Sequence, residues 1–293
     1  MVARVLLDSG DVACMEDPGY RGARAALLAA GAMVHPVPVD ADGLNVSALR
    51  SLTPAPRVAF VTPAHQFPLG VTLSAARRVA LLEWARANDA WIVEDDFDSE
   101  YRLRGRPLPS LQGMDAHGRV IYVGTFSKTL YPGLRVGYLI VPAPLVDVFA
   151  RARATVDRHP PALEQAVLAE FIAEGHFARH VRRMRSLYAE RQEILLRLVD
   201  ERLGEWLETQ RVDAGMHLVG WLRDGVRAED HAIAARALEL GVVASALSAL
   251  AVTPSRRGAL LLGFAGYAPD EMQRAADLLA LALRQTHDES TAT

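Results

Sequence analysis

The sequence predicts an α/β fold: a mostly parallel sheet in a large domain over about residues 1–150, followed by a smaller α+β domain to residue 293. Two observations carry this expectation. Short β-rich runs alternate with amphipathic helical runs through the first half, and most of those β-rich runs are apolar almost without interruption. Strands covered by helices on both faces have that composition, and alternation of this kind builds parallel sheets.

Taken in order, the expected strands are Val12–Glu16, Met33–Val39, Val58–Thr62, Trp91–Glu94, Val120–Gly124 and Val136–Val141. Helices are expected at Arg21–Ala30 and Ser74–Ala87. The second helix places Ala75, Val79 and Leu82 on one face, with Thr72 or Ser74 as its cap. About ten residues, Pro132 and Gly133 among them, separate the last two strands. That is too short and too broken for a helical crossover, so the final strand should run antiparallel.

From about Leu145 to Leu207 the chain reads as helical, with interruptions near Pro160–Pro161 and Gly175. The remainder mixes strands at Met216–Leu222 and Ala259–Phe264 with helices at Glu229–Leu240 and Pro269–Leu283. The tail after Arg284, QTHDESTAT, is expected to fray. No internal repeat or low-complexity linker is visible.

Composition excludes several classes. Apolar residues make up 51% and charged residues 23% of the 293, as in ordered proteins rather than disordered ones. A net charge of −3 and a pI near 6.3 provide no general attraction to nucleic acid or anionic membranes. The longest apolar stretch, roughly Leu240 to Thr253, falls short of the ~20 residues that span a bilayer. The single cysteine, Cys14, rules out an internal disulfide framework. The opening MVARVLLDSGD shows no signal-peptide pattern, so a cytoplasmic location is expected.

In such a sheet, ligands gather at the carboxyl ends of strands. The strand at Trp91 runs into EDDFDSEY, the one at Val120 into GTFSK, the one at Val58 into TPAHQFPLG, and the first into EDPGY with Tyr20. Singly, each has a plainer explanation. Lysine is usually a solvated surface residue, and an acidic cluster is a polar loop more often than a metal site. Tyr20 after Asp-Pro-Gly could be a turn aromatic, Arg135 could close a surface salt bridge, and His65 and Gln66 could serve local hydrogen bonds. The carboxylates lack a neighbouring His pattern, so no metal is expected. Together, however, the residues meet the demands of pyridoxal 5'-phosphate: a lysine for its aldehyde, an acid against its pyridinium nitrogen, an aromatic face, and phosphate donors. Thr125, Ser127 and Arg135 flank Lys128, all within reach of one phosphate, and a guanidinium can grip two of its oxygens at once.

At these residues the chain resembles the aminotransferase-like domain of the MocR/GabR regulators, within the fold-type I pyridoxal-phosphate superfamily. The resemblance runs through EDPGYRGARAALLAAGA, TPAHQFPLGVTLS, EDDFDSEYR, VIYVGTFSKTLYPGLRVGYLIVP and LAEFIAEGHFARHVRRMRSLYAER, in that order, over nearly the whole chain. It implies Lys128 as the Schiff-base and catalytic lysine, Asp95 as the pyridinium partner, Tyr20 as the stacking ring, and Thr125, Ser127 and Arg135 as phosphate holders. It also implies a homodimer that responds to the cofactor and to a small-molecule amine or amino acid. DNA would be contacted only through a winged-helix domain that this sequence does not contain, and no membrane is involved. The alternative is a class I/II aminotransferase acting on an amino acid or amine, with Lys128 moving the α-proton.

The sequence departs from the pattern in four ways. The winged helix and the start of the aminotransferase-like domain, with its Gly-Ser-Gln type phosphate turn, are absent, which predicts a truncated piece with weakened cofactor binding. Phe97 stands where EDDYDSE offers a tyrosine hydroxyl to the cofactor's phenolic oxygen. Leu261 stands where many relatives place an arginine for the substrate carboxylate.

Overall fold

Seven strands form one sheet: β1 (Val12–Asp17), β2 (Met33–Asp40), β3 (Gly43–Leu44), β4 (Val58–Val61), β5 (Trp91–Asp96), β6 (Val120–Thr125) and β7 (Gly137–Ile140). Their order is β3-β2-β1-β4-β5-β6-β7. The computed structural model describes residues 1–159, 161–255 and 257–292, with side chains to residue 291. All six strands expected in the first half are present, each end within two residues of its expected place. The pairings β1·β2, β1·β4, β4·β5 and β5·β6 are parallel, whereas β7 runs antiparallel to β6 with Thr125 opposite Gly137.

Around this sheet lie α1 (Val2–Leu6), α2 (Arg21–Ala29), α3 (Val46–Arg50), α4 (Ala75–Ala87), α5 (Leu111–Met114), α6 (Val146–Asp157) and α7 (Ala162–Ala173). Successive strand residues enter opposite cores, as a two-residue period requires. Ile92 packs with Cys14, Val61, Leu81, Trp84 and Leu111, whereas Val93 packs with Leu6, Leu27, Val58, Ile121 and Phe149. Each fully buried aliphatic side chain contributes about 1.5–3 kcal/mol. Covering both faces explains why these strands read as continuous apolar runs.

Helix α4 corrects an expectation. Its buried residues are Arg78, Leu81, Trp84 and Ala85, while Val79 is 48% exposed. The buried guanidinium donates to the carbonyls of Leu73, Pro109 and Pro63, so a charged residue occupies the inward face. Ser74 is the cap residue but its side chain makes no cap bond, and Thr72 instead donates to the Ala64 carbonyl. Two short helices are capped by side chains, α3 by Asn45 and α5 by Ser110.

This first unit comprises Met1–Phe67, Val71–Glu100 and Arg106–Val181. The sequence division near residue 150 therefore differs from the grouping in space: α6 and α7 belong with the sheet, and Phe149 lies in its core. Gly175, at φ +75°, separates α7 from α8 (His176–Leu198). Of the break expected at Pro160–Pro161, Pro160 lies outside the described residues.

The second unit begins within α8 and also takes in Pro68–Gly70 and Tyr101–Gly105. It holds β8 (Leu207–Thr209), β9 (His217–Leu222), β10 (Ser245–Ala246) and β11 (Ala259–Gly263) in the order β10-β11-β9-β8, all antiparallel. Helices α9 (Asp230–Glu239) and α10 (Pro269–Ala292) supply Ile233, Met272 and Leu283 to its core, which they share with Leu218, Leu260 and Phe264. The tail is helical rather than frayed. Thr286 is buried and donates to the Ala282 carbonyl, and the His287 ring packs 5.2 Å from Trp206, which fixes a turn whose composition alone looks solvated. Among the described residues, no helix is long and apolar enough to cross a membrane.

Candidate functional site

Because β1, β4, β5 and β6 are parallel, the segments that follow them emerge at one edge of the sheet. Tyr20 follows β1, His65–Phe67 follow β4, Asp95 and Asp96 close β5, and Ser127 and Lys128 follow Thr125 at the end of β6. The reversal into β7 returns the chain to this edge, and Arg135 lies two residues before Gly137. All six residues singled out in the sequence, Tyr20, Asp95, Thr125, Ser127, Lys128 and Arg135, therefore reach the same edge.

Register sorts the carboxylates. Asp95 pairs with Val123 and Asp96 with Gly124, so Asp95 shares a face with Thr125 while Glu94 and Asp96 share the opposite face with Tyr122. Glu94 accepts from the backbone N–H groups of Leu111 and Gln112, at 2.8 and 2.9 Å, and so caps α5. Asp96 accepts from the Ser99 hydroxyl at 2.7 Å and from the Tyr122 hydroxyl at 2.6 Å. Asp98, 1% exposed, binds Nδ1 of His65 at 2.9 Å. Asp95 alone of the four makes no hydrogen bond or ion pair through its carboxylate among the described residues. Burial, reinforced by the charges of Asp96 and Asp98, raises its pKa to about 7. Of Glu94, Asp95, Asp96 and Asp98, three are thus structural carboxylates, and Asp95 has no such partner among the described residues. Among the described residues, no group of three or more His, Cys, Asp or Glu could hold a metal ion.

The cations are equally distinctive. Of 32 basic residues in the sequence one is lysine, and it is Lys128. Its side chain is exposed in the turn after β6 and makes no ion pair among the described residues. Arg135 is also exposed and without an ion pair, and its backbone is left-handed at φ 52°, ψ 31°, a conformation that a β-carbon disfavours. Among the described residues, Arg135 closes no surface salt bridge. The Thr125 hydroxyl accepts from Ser127 N–H at 3.1 Å and shapes the same turn.

Tyr20 is 50% exposed, and its ring meets Phe67 edge-on at 6.1 Å. Phe67 in turn meets Phe97 at 6.0 Å, and Phe97 lies 6.0 Å from His65. Sequence reasoning missed what holds this aromatic row. Glu16, buried, accepts from Thr62 N–H at 3.1 Å, from the Thr62 hydroxyl at 2.5 Å and from Gln66 Nε2 at 3.3 Å. Gln66 also donates to the carbonyls of Pro18 and Phe67, so the loops after β1 and β4 are tied together. Burial raises the Glu16 pKa to about 7 against the opposing pull of those hydrogen bonds. His65 and Gln66 are thus more than local: their partners Asp98 and Pro18 lie 33 and 48 residues away.

In the second unit, Leu261 sits on β11 between Val219 and Ser245 and packs against the buried cluster of Val219, Leu247 and Ala259. The position where an arginine is common in the resembling pattern is apolar here.

A mostly parallel sheet of this order is the fold-type I aminotransferase fold. The chain belongs to the aminotransferase class I and II family, which matches residues 1–279. It is 47% identical over 274 residues to the probable rhizopine catabolism regulatory protein MocR of Rhizobium meliloti, covering 93% of this chain and 55% of that one. It is 43% identical over 201 residues to the HTH-type transcriptional regulator TauR of Rhodobacter capsulatus, covering 69% of this chain and 41% of that one. Among solved structures, it resembles LysN, the alpha-aminoadipate aminotransferase of Thermus thermophilus, complexed with N-(5'-phosphopyridoxyl)-L-leucine. The TM-score is 0.88 and the identity 28%, over 97% of this chain and 74% of that one. The chain is therefore an aminotransferase-like domain homologous to that of MocR-type regulators, and it spans about half the length of the curated relatives it matches.

Proposed function

We propose that this domain binds pyridoxal 5'-phosphate at the strand edge and, within a MocR/GabR-type regulator, responds to an amine or amino acid. The observation that carries this reading is the placement of the chain's sole lysine at the carboxyl end of β6, on an edge with a carboxylate and an arginine that have no partner among the described residues. The donor set fits the group. Lys128 would bond the aldehyde, Asp95 would accept from the pyridinium N–H, and the Tyr20 ring would cover one face. Arg135 would grip two phosphate oxygens, with Thr125 and Ser127 adding hydroxyl donors. When bound, the cofactor supplies an electrophilic carbon and an electron-withdrawing ring. Phe97 contributes no hydroxyl, so this reading includes modest cofactor affinity and slow or absent transamination. Homodimerisation, and contact with DNA only through a separate domain, are further parts of the proposal.

Adding pyridoxal phosphate to the purified chain should produce a visible absorbance band. Condensation of Lys128 Nζ with the aldehyde releases one water and forms a C=N bond that borohydride reduces to a stable amine. Peptide mapping should find the adduct on Lys128, since the only other amine is the α-amino group of Met1. An adduct confined to Met1, or none, would refute the proposal. Half-reactions with a panel of amino acids and amines then separate a sensor from a transaminase: rapid turnover of an ordinary α-amino acid would establish the enzyme.

A further inference from the structure

Among the described residues the lysine side chain makes no ion pair, so the position of its amine depends on how the turn that carries it is held. Leu130 N–H donates to the Phe126 carbonyl at 2.9 Å and closes that turn around Lys128. Both flanks of the lysine are then gripped by the first turns of α8. The Phe177 ring meets Phe126 edge-on at 5.8 Å and 74°. One helical turn on, Nε2 of His180 lies 2.9 Å from the Thr129 carbonyl. Residues three apart on a helix share a face, which is how one helix reaches both sides of the turn. A carbonyl only accepts, so His180 must carry its proton on Nε2 in this contact. Thr129 is fully buried, which removes water as a substitute donor of equal access.

We propose that His180, assisted by Phe177, is a positioning residue for Lys128: it fixes the peptide following the lysine so that the amine meets the cofactor's aldehyde. The inference rests on the cofactor reading given above and extends it to a segment, GHFARHVRRMR, whose basic residues alone suggest nothing more than a solvated helix face. It assigns no contact between His180 and the cofactor itself.

The test compares two probes on the full chain: pyridoxal 5'-phosphate, which bonds the lysine, and pyridoxine 5'-phosphate, which lacks the aldehyde and cannot. His180→Ala should weaken binding of the first about three- to tenfold, the range of one hydrogen bond, and leave the second within about twofold of wild type. His180→Gln, which keeps an N–H donor, should restore most of the loss. Phe177→Leu should show the same selectivity at about two- to threefold, and it keeps the test open should His180→Ala fail to fold. Equal loss of both probes, or unchanged binding of both, would overturn the positioning role. If wild-type protein forms no borohydride-stable bond at Lys128, the cofactor reading falls and this proposal with it. An adduct of equal yield and affinity in wild type and His180→Ala sinks the proposal alone.

Discussion

Two aspartates, one in each unit, show what separates a structural carboxylate from a functional candidate. Asp230, 1% exposed at the start of α9, accepts from Ser248 N–H, the Ser248 hydroxyl and Ala259 N–H. It joins a helix, a turn and a strand of the second unit, and its burial is compensated by those donors. Asp95, at the end of β5 in the first unit, is largely desolvated beside Asp96 and Asp98 and makes no hydrogen bond through its carboxylate. Folding bears its burial without return. Groups held at a cost to the free protein are those a ligand can repay, and perturbed carboxylates concentrate at functional sites for that reason.

The largest effect that could break this contrast comes from Lys128→Ala. If the edge is a cofactor site, this substitution removes the absorbance band and the trapped adduct completely, because the chain has no second lysine. Thermal unfolding should hardly move, since the side chain is exposed. A persistent band would show that the edge binds the cofactor by other means or not at all. Next comes Asp230→Ala, which strands the buried Ala259 N–H and the Ser248 donors. It should cost about 2–4 kcal/mol in urea unfolding. A loss below about 0.5 kcal/mol would erase the distinction between the two aspartates.

How much of this was legible in the sequence follows from the range of each interaction. Strand positions and the antiparallel turn into β7 could be read because burial on both faces and a short connector leave local marks. Gathering Tyr20, Asp95, Thr125, Ser127, Lys128 and Arg135 at one edge needed only the alternation rule. The sole lysine among 32 basic residues was a signal within reach as well. The inward face of α4 was not legible, because Arg78 becomes an interior residue only through carbonyls up to 31 residues away. Neither were Glu16 with Thr62, 46 residues apart, or His180 with Thr129, 51 apart, since no local pattern links them. The last turns of α10 looked frayed because their anchors, Thr286 and His287, are polar residues that bury by shape and pairing.

A smaller effect sharpens the comparison from the other side. Asp95→Asn keeps the shape of the side chain but removes a charge that the free protein holds without a partner. Cofactor affinity should fall by about 1.5–3 kcal/mol, the loss of a charge-assisted hydrogen bond, while stability without cofactor is unchanged or slightly higher. Asp96→Asn should do the opposite: it disturbs Ser99 and Tyr122 and lowers stability, with a lesser effect on the cofactor. Isothermal titration paired with unfolding curves for both variants would decide. Equal affinity losses would mean that register does not select Asp95.

A further expected effect is a slope in pH, and its sign follows from the raised pKa values of Asp95 and Glu16, each about 7 in the folded chain. Their ordinary values are 3.8 and 4.5, so between about pH 4 and 7 the folded state binds more protons than the unfolded one. Stability without cofactor therefore declines as pH rises through that window and levels off above it. The contribution of these two groups is fully present below the unfolded pKa and lost once both carboxyls ionise in the folded state. Asp95→Asn and Glu16→Gln should each flatten the slope. Saturating pyridoxal phosphate should flatten the part due to Asp95, because a pyridinium partner favours the ionised carboxylate, and leave the part due to Glu16. Unfolding free energies at half-unit intervals from pH 4 to 8, for wild type and the two variants, measure this directly. A wild-type curve that rises across the window, or an Asp95→Asn curve parallel to wild type, would show that Asp95 is not the strained carboxylate of this edge.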